Sequence, residues 1–552
     1  MKQIAYRFPA TSKESVAPDA KTRVGTDALV RPSRAKLGSC LQRMGSLPRH
    51  GLRHGLATTL TALAIGMVIG ATAETRPHYG GTLRVMLQST PNALAIPADA
   101  TPSDYWDMAR TLSLIGDTLV KIDALGRPQP GLAVSWLSDP VARHWQFKLL
   151  SGVKFHDGST ATPEAITQIL RANNPNWNVK ATSDSVVIDS EAARPSMLAE
   201  LALPRNLLLK RNTSGLPIGT GAFLVSEWQP GKLLKLTANE ESWSGRPFAD
   251  VVQIEFGKSL RDQAVALDLD KADVIESPPQ APGSQSRGPS SSLSSSLSLS
   301  PSVSLPVELM ALVFPANSKA QDPRLRQALA LAIDRKPIQS VLLKGAGEAA
   351  GTILPNWMTG YSTVFPAVSN PQRARAVLGE SRQPALNLSY DPRDAQAQLI
   401  AERIALNARD VGLTVQVSLS GTEDIRLTRV ALPSPDPGTS LAEAARELGL
   451  SPSTLPMAER GRTVEDLYQA ERGLLDQYSV IPLFHLPLAS VSGGRVRGLQ
   501  PDTLGQWSEP GHSLADAWLS DSRSSDSRSS DARSPDAKSS DSRPDSFVGP
   551  VR

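Results

Sequence analysis

Residues 145–158 read Trp-Gln-Phe-Lys-Leu-Leu-Ser-Gly-Val-Lys-Phe-His-Asp-Gly, and this stretch constrains the fold most. Trp145, Phe147 and Leu149 alternate with Gln146 and Lys148, the period of a strand with one buried face. His156-Asp157-Gly158 follows as a tight turn. Thr162-Pro163-Glu164 then opens a helix, with proline in its first turn. The alternation recurs. Gly81–Val85 is a strand, and Leu112–Val120 reads as a helix running into Asp117-Thr118-Leu119-Val120. Asp322-Pro323-Arg324 starts a helix through Leu325, Leu329 and Ile333. Ala395–Arg409 is a third helix, followed by a strand at Leu413–Leu419. Strand and helix in turn imply an α/β architecture.

Charge is unevenly placed. Of the whole chain's net +4, residues 1–73 carry +8, from eleven Lys/Arg against three Asp/Glu, which leaves the rest at −4. A basic leader on a mildly acidic body does not support a groove that tracks nucleic-acid phosphates. The leader reads as a secretory signal: Arg43, Arg49 and Arg53 precede the apolar run Leu56–Gly70, and Ala71-Thr72-Ala73 is a small-x-small cleavage pattern before Glu74. At 15 residues the run is short of the about 20 needed to span a bilayer. An uncleaved anchor is the alternative, and both Met1 and Met44 are open as the start. Cys40, the only cysteine, lies in the leader, so the mature chain has neither a disulfide nor a lipid-bearing N-terminal cysteine. A soluble periplasmic protein is expected.

Two segments cannot build a core. Residues 283–304 are rich in Ser, Gly and Pro, and read as a disordered insertion. Residues 520–552 contain an Asp-Ser-Arg-like unit repeated every five residues, and read as a disordered tail.

The stretch at 145–158 resembles the W-x-F-x-L-R-x-G-V-K-F-H-D-G signature of the solute-binding proteins that serve peptide and nickel ABC importers, extracellular solute-binding protein family 5. Further segments resemble the same family in order: Gly80–Val85, Asp117–Asp123, Gly126–Trp136, Gly219–Phe223 with Glu227-Trp228 and Pro230-Gly231, Trp243–Pro247, Val480–His485 and Val496–Leu499. The resemblance implies a two-lobed periplasmic binding protein, type II-like, with a discontinuous lobe I and a reduced inserted subdomain. Residues 74–115, 206–282 and 485–519 fall to lobe I, 116–205 to the inserted subdomain and 305–484 to lobe II. Two strands cross between the lobes, and the ligand sits in the cleft between them.

Peptide-binding members carry G-W-x-x-D-Y-x-D-P, whose Asp pairs with the ligand's ammonium. The matching stretch here is Arg429–Pro437, with Val430 at the Trp position and Pro433 at the Asp position. Losing a charged partner implies weak binding of unmodified peptides, unless Asp436 replaces it. For Asp436 the second reading is a cap on a helix at Leu441–Leu448. Tyr105 and Trp106, in a loop that lines the cleft in the family, either stack on a ligand or pack under the subdomain. Trp357 lies in a loop near the hinge, as a ligand contact or a structural turn. Arg426 and Arg429 either meet a ligand carboxylate or sit on the surface.

His156 and Asp157 are structural in the family. Outside the leader and its edge, His144, His156, His485 and His512 show no H-x-x-x-H or C-x-x-C spacing, and no nucleophile elbow, Walker or dinucleotide motif occurs, so no catalytic residue, metal or cofactor is assigned. The expected function is the periplasmic substrate-binding component of an ABC importer. It is a monomer that captures a peptide or other small polar solute and delivers it to permease subunits in the inner membrane. The alternative is a non-transport derivative of the fold, a structural or regulatory protein-interaction module.

Overall fold

The computed structural model describes residues 77–96, 101–123, 125–278, 301–365, 367–380, 383–420, 422–450, 463–499, 504 and 513–520. The expected signal segment, the serine-rich run as far as residue 300 and the repeat tail from residue 521 lie outside the described residues.

β1 (Thr82–Met86) opens the described chain. The hairpin β2 (Val120–Ile122) and β3 (Pro128–Pro130) leads into β4 (Ala133–Ser138), β5 (His144–Leu149), β6 (Asn178–Ala181) and β7 (Ser185–Asp189), an antiparallel sheet in the order β4-β5-β7-β6. β8 (Lys210–Arg211) and β9 (Pro217–Ile218) pair as a second hairpin. Then come β10 (Phe223–Gln229), β11 (Leu233–Ala238), β12 (Val251–Glu255) and β13 (Val274–Ser277). β14 (Ser302–Val313), β15 (Glu348–Ala349), β16 (Leu386–Tyr390), β17 (Val415–Val417), β18 (Ile425–Ala431) and β19 (Val480–Ser492) follow. β20 (Val496–Arg497) and β21 (Trp518–Leu519), the last described strands, pair antiparallel.

One sheet runs through the molecule in the order β10-β11-β12-β1-β13-β19-β14-β18-β16-β17, with β15 on β19. β14 has 12 residues and β19 has 13. At about 3.3 Å per residue each reaches roughly 40 Å, enough to serve both ends of the sheet. They pair with each other from Ser302↔Ser490 to Val313↔Val480. β13 joins β19 at the Ser492 end, and β18 joins β14 from Glu308↔Ala431 to Val313↔Arg426. Val480–Leu486 is buried at every residue, as a strand covered on both faces requires.

Among the described residues, three large apolar cores form around this frame, with two smaller clusters beside them. One joins Leu83 and Val85 of β1 to Phe223, Leu236 and Ile254, and is lobe I. A second joins Leu309 and Leu312 of β14 to Leu329, Ile404 and Phe484, and is lobe II. The third joins Trp145 and Phe147 to Ile166, Leu170 and Val186, and is the small subdomain. The architecture is α/β, as the alternating pattern implies, and two-lobed, as the family resemblance implies.

The motif at 145–158 works structurally. Trp145 and Phe147 stack at 6.1 Å inside the subdomain core. Beyond the turn, His156 Nε2 lies 3.0 Å from the Gly221 carbonyl, and Gly219 N donates to His156 Nδ1 at 3.4 Å. Burial keeps the imidazole below its ordinary pKa. Asp157 meets Lys210 at 2.6 Å. Gly219 must be glycine: a Cβ there would lie 2.1 Å from the Ile115 carbonyl oxygen.

Three expected boundaries move. The helix placed at Leu112–Val120 is Pro102–Ser113, capped by Thr101, so Tyr105 and Trp106 are helical rather than in a loop. The strand expected at 413–419 shortens to Val415–Val417. Ser302–Ser304, assigned to the disordered insertion, already belong to β14, where Ser302 and Val303 pair with Ser490 and Ala489 of β19.

Candidate functional site

A cleft of about 1780 Å³ lies between the lobes. Lobe I contributes the start of the Pro102–Ser113 helix and the loop Gly257–Leu260. The subdomain adds Leu203 and Arg205. Glu308 and Met310 of β14 form part of the floor, beside Arg426–Val430 of β18. Lobe II contributes Ser389–Asp394 with Gln396, and one face of the helix Pro437–Glu447.

Seven Lys/Arg and seven Asp/Glu line this wall among the described residues, so it is not built around one sign of charge. Each arginine has a carboxylate beside it. Two of these pairs cross the cleft. Arg393 Nη1, in the lobe II loop, meets Asp104 Oδ2 of lobe I at 3.0 Å, and Arg205 Nη1 meets Glu443 Oε1 at 2.6 Å. Arg429 Nη2 meets Asp394 Oδ2 at 2.8 Å, with Glu308 Oε2 at 3.5 Å from Nη1. Arg446 Nη2 meets Glu443 Oε2 at 2.9 Å and Glu447 Oε1 at 3.9 Å. Burial raises the Glu308 carboxyl, which Arg429 only partly offsets. Desolvation pushes Glu447 up to about 7.

Three of the six residues singled out from sequence line the cleft: Tyr105, Arg426 and Arg429. The Tyr105 phenol is pushed up by burial, then by the neighbouring Glu443 and Glu447. Arg426 is half exposed, its Nε 3.6 Å from Glu423. Arg429 is no surface arginine, since its guanidinium is held by Asp394 and Glu308.

Three others do not line it. Trp106 is 1% exposed and packs with Val307 and Ala431, because it occupies the inward side of its helix. Trp357 borders the same cluster, and its Nε1 donates to the Pro306 carbonyl at 2.8 Å, fastening the Asn356–Thr359 turn to the crossing strand. Asp436 caps the Pro437–Glu447 helix, accepting from Thr439 N at 2.8 Å and Thr439 Oγ1 at 2.7 Å. Pro433 turns away as well: with Ser434 and Pro435 it lines a separate cavity of about 460 Å³.

Asp104, Arg205, Glu308, Arg393, Glu443 and Glu447 escape the sequence reading. Glu308 had a signal, a lone carboxylate in the apolar run Val307–Phe314. Glu443 and Glu447 had another, two acids four residues apart on one helical face. Among the described residues no three His, Cys, Asp or Glu side chains group to hold a metal, and no helix is long and apolar enough to cross a membrane.

The model of the bacterial extracellular solute-binding proteins, family 5 middle, matches residues 127–429. The nickel-binding periplasmic protein of Escherichia coli K12 is 26% identical over 356 residues, 56% of this chain and 66% of that protein. A probable di/tripeptide-binding protein 5 of Pseudomonas aeruginosa UCBPP-PA14 is 23% identical over 337 residues, 54% of this chain and 61% of its own length. The matched segments thus span just under two thirds of these relatives. In fold, the chain is similar to the PBP AgaA of A. tumefaciens R10, solved in complex with agropinic acid. There the TM-score is 0.67 at 18% identity, over 80% of this chain and 99% of that one.

Proposed function

Because the chain belongs to the family 5 bacterial extracellular solute-binding proteins, we propose that it captures a peptide or other small polar solute in the interlobe cleft. It then presents that solute to the permease subunits of an ABC importer, working in the periplasm as a monomer after its signal segment is cleaved. The observation that carries this reading is the cleft itself. Its walls come from both lobes and the subdomain, and its floor from a strand that crosses between them. Interdomain clefts are where small ligands sit, and hinge closure of two lobes excludes water from them. The volume accommodates more than one amino-acid residue.

The related proteins named above bind nickel, di- and tripeptides, and agropinic acid, so family membership does not fix the solute. The mixed wall favours a polar solute carrying both acceptors and donors over a bare ion of either sign. Tyr105, Arg426 and Arg429 are the residues from the sequence reading retained as solute contacts.

A second reading rests on the two ion pairs across the cleft, Arg393–Asp104 and Arg205–Glu443. They join the lobes through the chain's own residues, as in a derivative that keeps the fold for protein contacts and needs no solute. Mass spectrometry of protein purified from its native host and then denatured separates the two. Release of one small solute per chain supports the carrier; release of none supports the protein-interaction module.

A further inference from the structure

We propose that Trp106 sets the balance between open and closed lobes: it is the lobe I side of an apolar contact across the hinge, and its own unpaired indole N–H keeps that contact weak. This balance belongs to the chain without solute, so it holds whether or not a solute is carried. Trp106 sits on the Pro102–Ser113 helix, whose Met108 and Leu112 lie in the lobe I core. It packs with Ala431 of β18, whose neighbours Val430 and Leu432 lie in the lobe II core. Val307 and Leu488 of the crossing strands, with Tyr105 and Trp357, complete the cluster. None of these six side chains belongs to the core of either lobe. Each lobe therefore keeps its own core when the lobes part, and this cluster is what parting breaks.

Two indoles meet here and differ in one respect. Trp357 Nε1 donates to the Pro306 carbonyl at 2.8 Å. Trp106, 1% exposed, finds no acceptor for its Nε1 among the described residues. Burying the Trp106 ring favours the closed arrangement. Stripping its N–H of water without giving it an acceptor opposes that arrangement. When the lobes part, water reaches the N–H and the bond is recovered, at the expense of the buried ring. The two effects have opposite sign and comparable size. The contact therefore closes the lobes without locking them, and closure by a hinge needs both arrangements within reach.

The test measures the closed-to-open ratio directly, in the exported chain freed of solute. Beyond the leader the sequence has no cysteine, so Lys258→Cys in lobe I and Leu419→Cys in lobe II carry one spin label on each rim of the cleft. The distribution of distances between the labels gives both populations. Salt at about 0.5 M screens the exposed pairs Arg393–Asp104 and Arg205–Glu443, leaving the apolar contact to act alone. Trp106→Phe keeps an aromatic ring and removes the N–H, whereas Trp106→Ala removes the contact. Trp145→Phe is the control: Trp145 also buries an N–H without an acceptor, but inside the subdomain core.

The expected result is a closed-to-open ratio that rises about tenfold in Trp106→Phe, within the range for one buried donor left unsatisfied. It should fall by about tenfold or more in Trp106→Ala, and stay at the wild-type value in the control. Trp106→Phe alone decides the matter should Trp106→Ala misfold. Unchanged populations in the Trp106 variants, with only the thermal midpoint lowered, would make Trp106 ordinary packing and overturn the proposal. So would a ratio that falls in Trp106→Phe, or one that moves equally in the control. The readout needs no solute, so the solute count from native protein decides the carrier reading separately.

Discussion

Arg205 Nη1 of the small subdomain stands 2.6 Å from Glu443 Oε1 of lobe II, a bridge between residues 238 positions apart in the chain. With Arg393–Asp104 it ties the two sides of the cleft before any solute arrives. Arg205 and Arg393 are 37% and 59% exposed in their side chains, so each pair adds little to stability. Their effect falls on lobe opening. The double variant Arg205→Ala/Arg393→Ala should show a larger radius of gyration in solution scattering without solute, and a thermal midpoint within a few degrees of wild type. An unchanged radius would show that the bridges do not hold the lobes together.

Asp436 tests capping against ligand contact. Asp436→Ala removes the acceptor for Thr439 N and Oγ1, and should cost about 1 kcal/mol of stability in denaturant titration. Solute affinity should stay within twofold of wild type. A tenfold loss of affinity at unchanged stability would return Asp436 to the binding site.

Two glycines separate close approach from backbone conformation. Gly219→Ala places a Cβ 2.1 Å from the Ile115 oxygen and 2.8 Å from Gly116 Cα, both backbone atoms, and should cost about 3 kcal/mol or more. Gly158 has φ +80° and nothing within 4 Å of an added Cβ. Gly158→Ala should cost about 1–2 kcal/mol, the strain of the left-handed region. Equal losses would mean that the packing against Ile115 relaxes.

Stability should depend on pH through two buried groups that hold adjacent residues of the loop leading to Trp357. His485 Nε2 lies 3.1 Å from the Ile353 carbonyl, and Glu471 Oε1 accepts from Leu354 N at 2.6 Å. Burial depresses His485 to about 4 and raises Glu471 to about 8. Below the ordinary histidine value of 6.5 the unfolded chain binds the extra proton, so stability falls as pH drops from 6.5 toward 4. Between the ordinary glutamate value of 4.5 and about 8 the folded chain holds the extra proton, so stability falls as pH rises through that window. The contributions are on the order of 3 kcal/mol for His485 and about 5 kcal/mol for Glu471. The two slopes oppose each other between about 4.5 and 6.5, so denaturant titrations across pH 4–9 should show the alkaline loss flattened in Glu471→Gln, which then loses stability toward acid, and stability continuing to rise toward acid in His485→Gln. Slopes identical to wild type would contradict both assignments.

The frame was legible because its signals are local. Trp145, Phe147 and Leu149 declare a one-faced strand, and Thr162-Pro163 and Asp322-Pro323 declare helix starts that their side chains do cap. The unbroken run from Val480 announces a strand with no exposed face. The start of the Pro102–Ser113 helix is not legible locally, because Trp106 is held by Val307 and Ala431, some 200 and 325 positions further on. The cleft is hidden for the same reason. Arg393 finds Asp104 across 289 positions and Arg429 finds Glu308 across 121, and no period or spacing encodes such meetings. What the sequence does show is the anomaly of a carboxylate at Glu308 inside an apolar strand, which the structure pairs with Arg429.

Native mass spectrometry of protein purified from its host tests the central claim most directly, with wild type compared against Thr428→Trp, which fills the cleft floor beside Arg429. A single small-molecule adduct on the wild type, absent from a folded Thr428→Trp variant, is the predicted result. A wild type without an adduct, or an adduct that survives the blocked floor, would contradict solute capture between the lobes.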